Sequence, residues 1–201
     1  GSDQHRDHIA IGAPATLWHG VLLKTISKLR TETPDIAISA VAAVQDVLTQ
    51  RLNEGTLDLA IMYRPIQPPG HTVEHLFDEE FVLVTGARTG QKKGNTDYVF
   101  INWGSDFQRD HAAAYPELIK PGLSLDLGNM PLDYVLANEL SAYFPMRLVK
   151  PYLSRGRLKQ PKRARRFVYP VYLVYPEARD EDAYDPILDM LRRESGRYAS
   201  D

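Results

Sequence analysis

The sequence predicts an α/β protein built as two Rossmann-like lobes. From His8 to Arg64 it alternates strand, helix, strand, helix, strand, with a polar residue at each strand-to-helix junction. A polar, glycine-rich break after Gly86 is followed by a second alternating run. Two strands, around Phe81–Thr85 and Pro170–Tyr175, stand where the chain would cross between halves. Strands that feed helices in this order form parallel sheets, and ligands settle at their carboxyl ends beside helix N-termini. The His8–Arg64 stretch therefore reads as one wall of a small-molecule cleft.

The first unit reads HIAIGAP, then Thr16, then a helix from Leu17 to Leu29. Its apolar stripe is Leu17, Trp18, Val21, Leu22, Ile26 and Leu29. Thr16 is placed to cap this helix and Pro34 to stop it. IAISAVAAV follows, then a helix that Asp46 can cap and that ends at Gly55, a residue suited to the left-handed position after a helix. LDLAIMYR is the third strand, and IQPPGH is a turn. HTVEHLF and EFVLVTG read as two strands joined by a solvated acidic turn, Asp78–Glu79–Glu80.

The second run begins with strand YVFIN, a WGSD loop and a helix around Phe107–Tyr115. Strand LSLDL, the loop Gly128–Asn129–Met130 and a helix opened by Pro131 come next. SAYF leads through Pro145 into a helix ending near Arg155–Gly156, then a basic loop, KQPKRARR, and the aromatic strand FVYPVYLVYP. A final helix is expected over Pro186–Arg193. Lobe I is thus expected over 8–85 plus 171–201 and lobe II over 86–170, with 1–7 a tag remnant or linker. Two lobes joined by two strands describe a hinge.

Composition narrows the function classes. A net charge of −2 argues against nucleic-acid binding by this chain. Without cysteine there is no disulfide or thiolate chemistry, which suits a reducing cytoplasm. No apolar run approaches the roughly 18 residues of a membrane span, and no signal peptide is seen, so no membrane partner is expected. Gly1–Ser2 reads as a cloning remnant, so the natural N-terminus is expected to be missing. His71 and His75 lie on an extended segment, where four residues span about 13 Å, too far for one metal ion. The basic run Lys159, Lys162, Arg163, Arg165 and Arg166 lacks interleaved aromatics and reads as a solvated connecting loop. No nucleophile elbow, phosphate loop or metal-ligand cluster is present, so neither an enzyme nor a cofactor is expected.

IGAPATLW, PDIAISAVAAVQDVLTQRLNEGTLDLAI and LSAYFPMRLVKPYLSRGRLKQ followed by VYPVYLVYP resemble the effector-binding, substrate-binding-like domain of LysR-type transcriptional regulators. The resemblance covers about His8 to Arg193. It implies the type 2 periplasmic-binding-protein fold, with an effector cleft between two lobes. It also implies a winged helix-turn-helix upstream that reads DNA, so that DNA is met only through that domain. Side-by-side homodimers assembling into tetramers are implied as well, the exposed flank of helix one and strand two being the dimer surface. Asn138–Glu139–Leu140–Ser141 departs from the family, which commonly has a glycine-rich turn there.

By position, the resemblance places the effector against Pro14, Ala15, Thr16 and Leu17, Val44 and Gln45, and Tyr63 and Arg64. From lobe II it adds Trp103, Gly104 and Ser105, and Gly128, Asn129 and Met130. Thr16 and Gln45 offer hydrogen bonds beside helix N–H groups, which suits a carboxylate; Thr16 serves equally as a plain cap. Arg64 pairs with an anionic ligand or stands as a solvated or interlobe ion-pairing arginine. Trp103 floors a pocket or fills the core, and Tyr63 is open between the two. Trp18 is expected in the core. A small, anionic effector of a cytoplasmic regulator is the leading reading. A transporter's solute-binding protein is the alternative, separable by the upstream sequence, and turnover of a bound compound would mark an enzyme.

Overall fold

Strand His71–Gly86 organises the molecule, because it belongs to both halves of the chain. The computed structural model describes residues 7–87 and 98–198. In order, β1 is Asp7–Ala13, α1 Ala15–Leu17, α2 Leu23–Glu32, β2 Ile36–Ala42, α3 Gln45–Glu54, β3 Leu59–Met62 and β4 His71–Gly86. Then come β5 Phe100–Ile101, α4 Ser105–Ala114, β6 Ser124–Leu125, α5 Pro131–Asn138 and β7 Ser141–Pro145. The rest are α6 Met146–Ser154, β8 Leu158–Lys159, β9 Phe167–Pro176 and α7 Glu181–Ser195. Two compact units result: Gly1–Asp78 with Tyr169–Asp201, and Glu79–Val168. The sequence reading sets these borders at 85/86 and 170/171. Of the expected break after Gly86, residues 88–97 lie outside the described residues, as do residues 1–6 of the expected remnant.

In the first unit β1 pairs in parallel with both β2 and β3, and β9 runs antiparallel to β3. Both faces of this sheet are covered. On one, Ile9, Ile11, Ile61 and Leu173 pack with Leu17, Leu22, Leu29, Ile187 and Leu191 from the first and last helices. On the other, Ala10, Ala60 and Met62 meet Leu48 and Leu52 of α3. Each of these buried leucines contributes about 1.5–3 kcal/mol of transfer free energy. In the second unit β7 and β8 pair antiparallel with β4, and β5 pairs in parallel with β6. Its core holds Val82, Val84, Val99, Ile101, Val135, Phe144 and Val149.

Four expectations need correction. The acidic turn does not exist: β4 runs unbroken through Asp78–Glu79–Glu80. Period-two alternation turns Phe77, Glu79 and Phe81 to one buried side, and Glu79 pairs there with Arg147. The first helix is broken, with non-helical backbone at His19 (ψ 121°) and Gly20 (φ 83°), although Leu17, Trp18, Val21, Leu22 and Leu29 are buried as expected. Neither Thr16 nor Asp46 caps a helix: Pro14 and Val44 hold those positions, without side-chain caps. The last helix starts at Glu181, five residues before Pro186, because the Asp180 carboxylate accepts the Asp182 amide at 3.1 Å.

Gly55 takes the left-handed C-terminal position of α3 at φ 76°, as expected.

Candidate functional site

Parallel pairing brings the carboxyl ends of β1, β2 and β3 to one edge of the first unit, where Ala43 N–H donates to Ala13 O at 3.3 Å. The chain turns there into α1 and α3. Pro14 starts α1 because its fixed φ, −59°, suits a helix start and its carbonyl accepts the Leu17 amide at 3.0 Å. Val44, extended at ψ 160°, starts α3 and accepts the Leu48 amide at 3.0 Å. The first-turn amides of α3 have no carbonyl four residues back, and Asp46 sits among them, favoured by the helix dipole.

Two hydrogen bonds gather the predicted residues of this unit. Thr16 Oγ1 lies 3.3 Å from the Tyr63 hydroxyl. Gln45 Nε2 donates to the Arg64 carbonyl. Tyr63 is half-buried against the core and Arg64 is exposed. Arg64 also adopts a left-handed backbone, φ 84°, a region that costs a side-chain-bearing residue about 1–2 kcal/mol. Leu17 is fully buried in the core, whereas Ala15 and Val44 are exposed. Trp18 is buried and donates its indole N–H to Val41 O at 2.8 Å.

The predicted residues of the second unit stand at its own strand-to-helix junctions. Trp103 follows β5, donates Nε1–H to Tyr143 O at 2.8 Å and packs on Phe81 and Phe144, with centroids 5.7 and 5.8 Å away. It is half-buried, so its ring both fills the core and keeps an accessible part. Gly104 opens α4 at φ 123°, and Ser105 is the exposed first residue of that helix. Gly128 turns the chain after β6 at φ 61°, Asn129 O accepts the Leu132 amide at 3.2 Å, and Met130 is 73% exposed before α5.

Sequence reasoning missed a buried polar cluster in the second unit. Tyr98 Oη lies 2.7 Å from Nε2 of buried His111, whose ring is enclosed by Phe100, Phe107, Tyr115 and Tyr143. Burial holds the imidazole below its ordinary pKa and raises the Tyr98 and Tyr143 phenols. Arg165 N–H donates to Tyr115 Oη at 3.0 Å, Tyr115 and Tyr143 hydroxyls are 2.8 Å apart, and Tyr143 O–H donates to Arg165 O at 2.8 Å. Each group therefore donates once and accepts once around a closed ring. Residues 13 to 50 positions apart in sequence meet there, and no local spacing signals such a meeting. His75 Nε2 instead meets Asp78 Oδ1 at 2.8 Å.

A two-unit α/β chain of alternating strands and helices is the architecture of periplasmic-binding-protein-like domains. The chain belongs to the LysR substrate binding domain family, whose model matches residues 2–196. It has the type 2 periplasmic-binding-protein fold of that family. The HTH-type transcriptional regulator HdfR of Yersinia enterocolitica is 25% identical over 160 residues, 74% of this chain and 54% of that protein. The chain thus spans about half the length of that curated relative. ArgP from Mycobacterium tuberculosis superposes with a TM-score of 0.77 at 15% identity, covering 99% of this chain and 71% of that one. The C-terminal domains of a LysR family protein from Agrobacterium tumefaciens give 0.77 at 14% identity, covering 96% and 99%. The reduced OxyR regulatory domain from Pseudomonas aeruginosa gives 0.72 at 18%, covering 96% and 98%. The family is one of transcription-regulator domains rather than enzymes. Among the described residues no helix is long and apolar enough to cross a membrane.

Proposed function

We propose that the chain senses a small, anionic effector and transmits its binding to DNA through a helix-turn-helix domain beyond it. The gathering of Thr16 with Tyr63 and Gln45 with Arg64 at the strand ends carries this reading. An acceptor on the ligand would take the first-turn amides of α3 and the Thr16 hydroxyl, with the Arg64 guanidinium beside it. In the second unit, the residues that the family resemblance proposes for effector contact are Trp103, Gly104 and Ser105, and Gly128, Asn129 and Met130. Because β4 and β9 continue from one unit into the other, they are the hinge of this proposal. The effector would shift DNA binding only by its differential affinity for two arrangements, in a regulator acting as cytoplasmic dimers and tetramers.

Calorimetric titration of the chain with small carboxylates and aromatic acids tests this. A ligand should bind, and Thr16→Ala and Gln45→Ala should each weaken it. Unchanged affinity in both variants would remove the site.

A further inference from the structure

Between Ser141 and Pro176 the chain holds nine Lys and Arg residues and no Asp or Glu, which leaves the remainder at −11. Two of the nine are neutralised in place. Arg147 meets Glu79 at 2.9 Å, and Arg166 meets Glu80 at 2.5 Å. The other seven are Lys150, Arg155, Arg157, Lys159, Lys162, Arg163 and Arg165, and all are exposed. None has an acidic partner among the described residues.

The segment that carries these charges is anchored. β8 pairs with Thr85 and Gly86, and Arg157 O accepts the Ala87 amide at 3.3 Å. Both backbone polar groups of Arg165 are held by the Tyr115–Tyr143 ring, and its guanidinium lies 5.6 Å from the Phe167 ring centroid. Ordering seven exposed like charges on one stretch raises electrostatic energy, which salt screens in part and a bound polyanion would relieve further. The helix dipole of α6 explains only Arg155, at its C-terminal end.

We infer that this segment of the second unit, from the end of α6 to the start of β9, is not merely a solvated connecting loop but binds the phosphate backbone of duplex DNA without reading its sequence, a contact additional to that of an upstream DNA-reading domain. Cations without interleaved aromatics suit phosphates rather than stacked bases, and guanidinium forks match phosphate oxygens. Choosing DNA among polyanions rests on the regulatory reading above, whereas the anchored excess of charge does not. The contrasting partner is the exposed acidic run Glu177, Asp180, Glu181 and Asp182 of a second copy. Three of those acids already complement the N-terminus of α7, so they have a local reason to be there.

The test is fluorescence anisotropy of the 201-residue chain with a labelled mixed-sequence duplex of about 30 base pairs, at about 50 and 200 mM salt. Binding should be insensitive to sequence and fall by about 10²- to 10³-fold between the two salts, as about five neutralised phosphates require. Lys159→Glu with Lys162→Glu should weaken it at least about tenfold. Lys24→Glu with Arg30→Glu, an equal charge change on exposed residues of the first unit, should leave it nearly unchanged. No binding, or equal loss in both double variants, overturns the inference. So does a salt-sensitive dimer in sedimentation that only the 159/162 variant dissolves while DNA stays unbound. Effector titrations are read separately, so a failed effector site leaves this result standing.

Discussion

Glu79 and Arg147 form a buried, bidentate ion pair: Arg147 Nε lies 3.1 and 3.0 Å from the two carboxylate oxygens, with side chains 3% and 8% exposed. Removing one partner strands the other charge. Glu79→Ala should destabilise the protein by about 3–5 kcal/mol in chemical denaturation. The double replacement Glu79→Leu with Arg147→Met should recover most of that loss, because the cost lies in the stranded charge.

The same pair shows what the sequence conceals. Alternation of Phe77, Glu79 and Phe81 already points Glu79 inward, yet three consecutive acids read more naturally as a turn when the distant arginine is unseen. The alternating strands and helices, the Gly55 end of α3 and the aromatic strand were legible because each rests on local spacing. The break at His19–Gly20 was not, since the apolar stripe continues through it. At the candidate site, residue types were legible, whereas the Thr16–Tyr63 and Gln45–Arg64 partnerships depend on strand pairing between distant segments.

Glu139 ends α5 in the left-handed region at φ 54°, a conformation that is costly for a residue with a side chain and nearly free for glycine. Glu139→Gly should therefore stabilise the protein by about 1 kcal/mol, measured as a higher denaturation midpoint. Its neighbour behaves oppositely. A Cβ on Gly86 would come within 2.6 Å of the Glu139 backbone Cα, so Gly86→Ala should cost about 1–3 kcal/mol.

His111 gives the fold a pH dependence whose sign is fixed by burial. Its native pKa is held below the ordinary 6.5, so the unfolded chain binds a proton before the native one does. Stability is then complete above about pH 6.5 and declines as pH falls from there toward the lowered native value. Thermal melts between pH 7.5 and 5 should show this decline, and His111→Gln should flatten it. Glu74 and Glu194 are held below 4.5 by Arg192 and Lys28, so their share is lost only in stronger acid.

Removing the Tyr143 hydroxyl opens the ring at Arg165. Tyr143→Phe leaves the Arg165 carbonyl and the Tyr115 hydroxyl each short of a partner, a loss of about 1–3 kcal/mol. Amide hydrogen exchange distinguishes a local from a general effect. The Arg165 N–H should exchange faster in the variant, while the β1 amides should slow or quicken only with global stability.

Arg64 separates stability from sensing. Its left-handed backbone is expensive for arginine and nearly free for glycine, so Arg64→Gly should stabilise the protein by about 1 kcal/mol. The Gln45 side chain still has the residue 64 carbonyl to donate to, so the strand-end geometry survives. If the guanidinium meets an anionic effector, the same substitution should weaken binding about tenfold or more, the worth of a charge-assisted hydrogen bond. Arg64→Lys keeps the charge and the strain but loses the fork, so it should bind at an intermediate level with stability unchanged. Denaturation midpoints and calorimetric affinities for the three proteins decide it. Equal affinity across them would assign Arg64 to solvent and leave its backbone strain without a ligand to justify it.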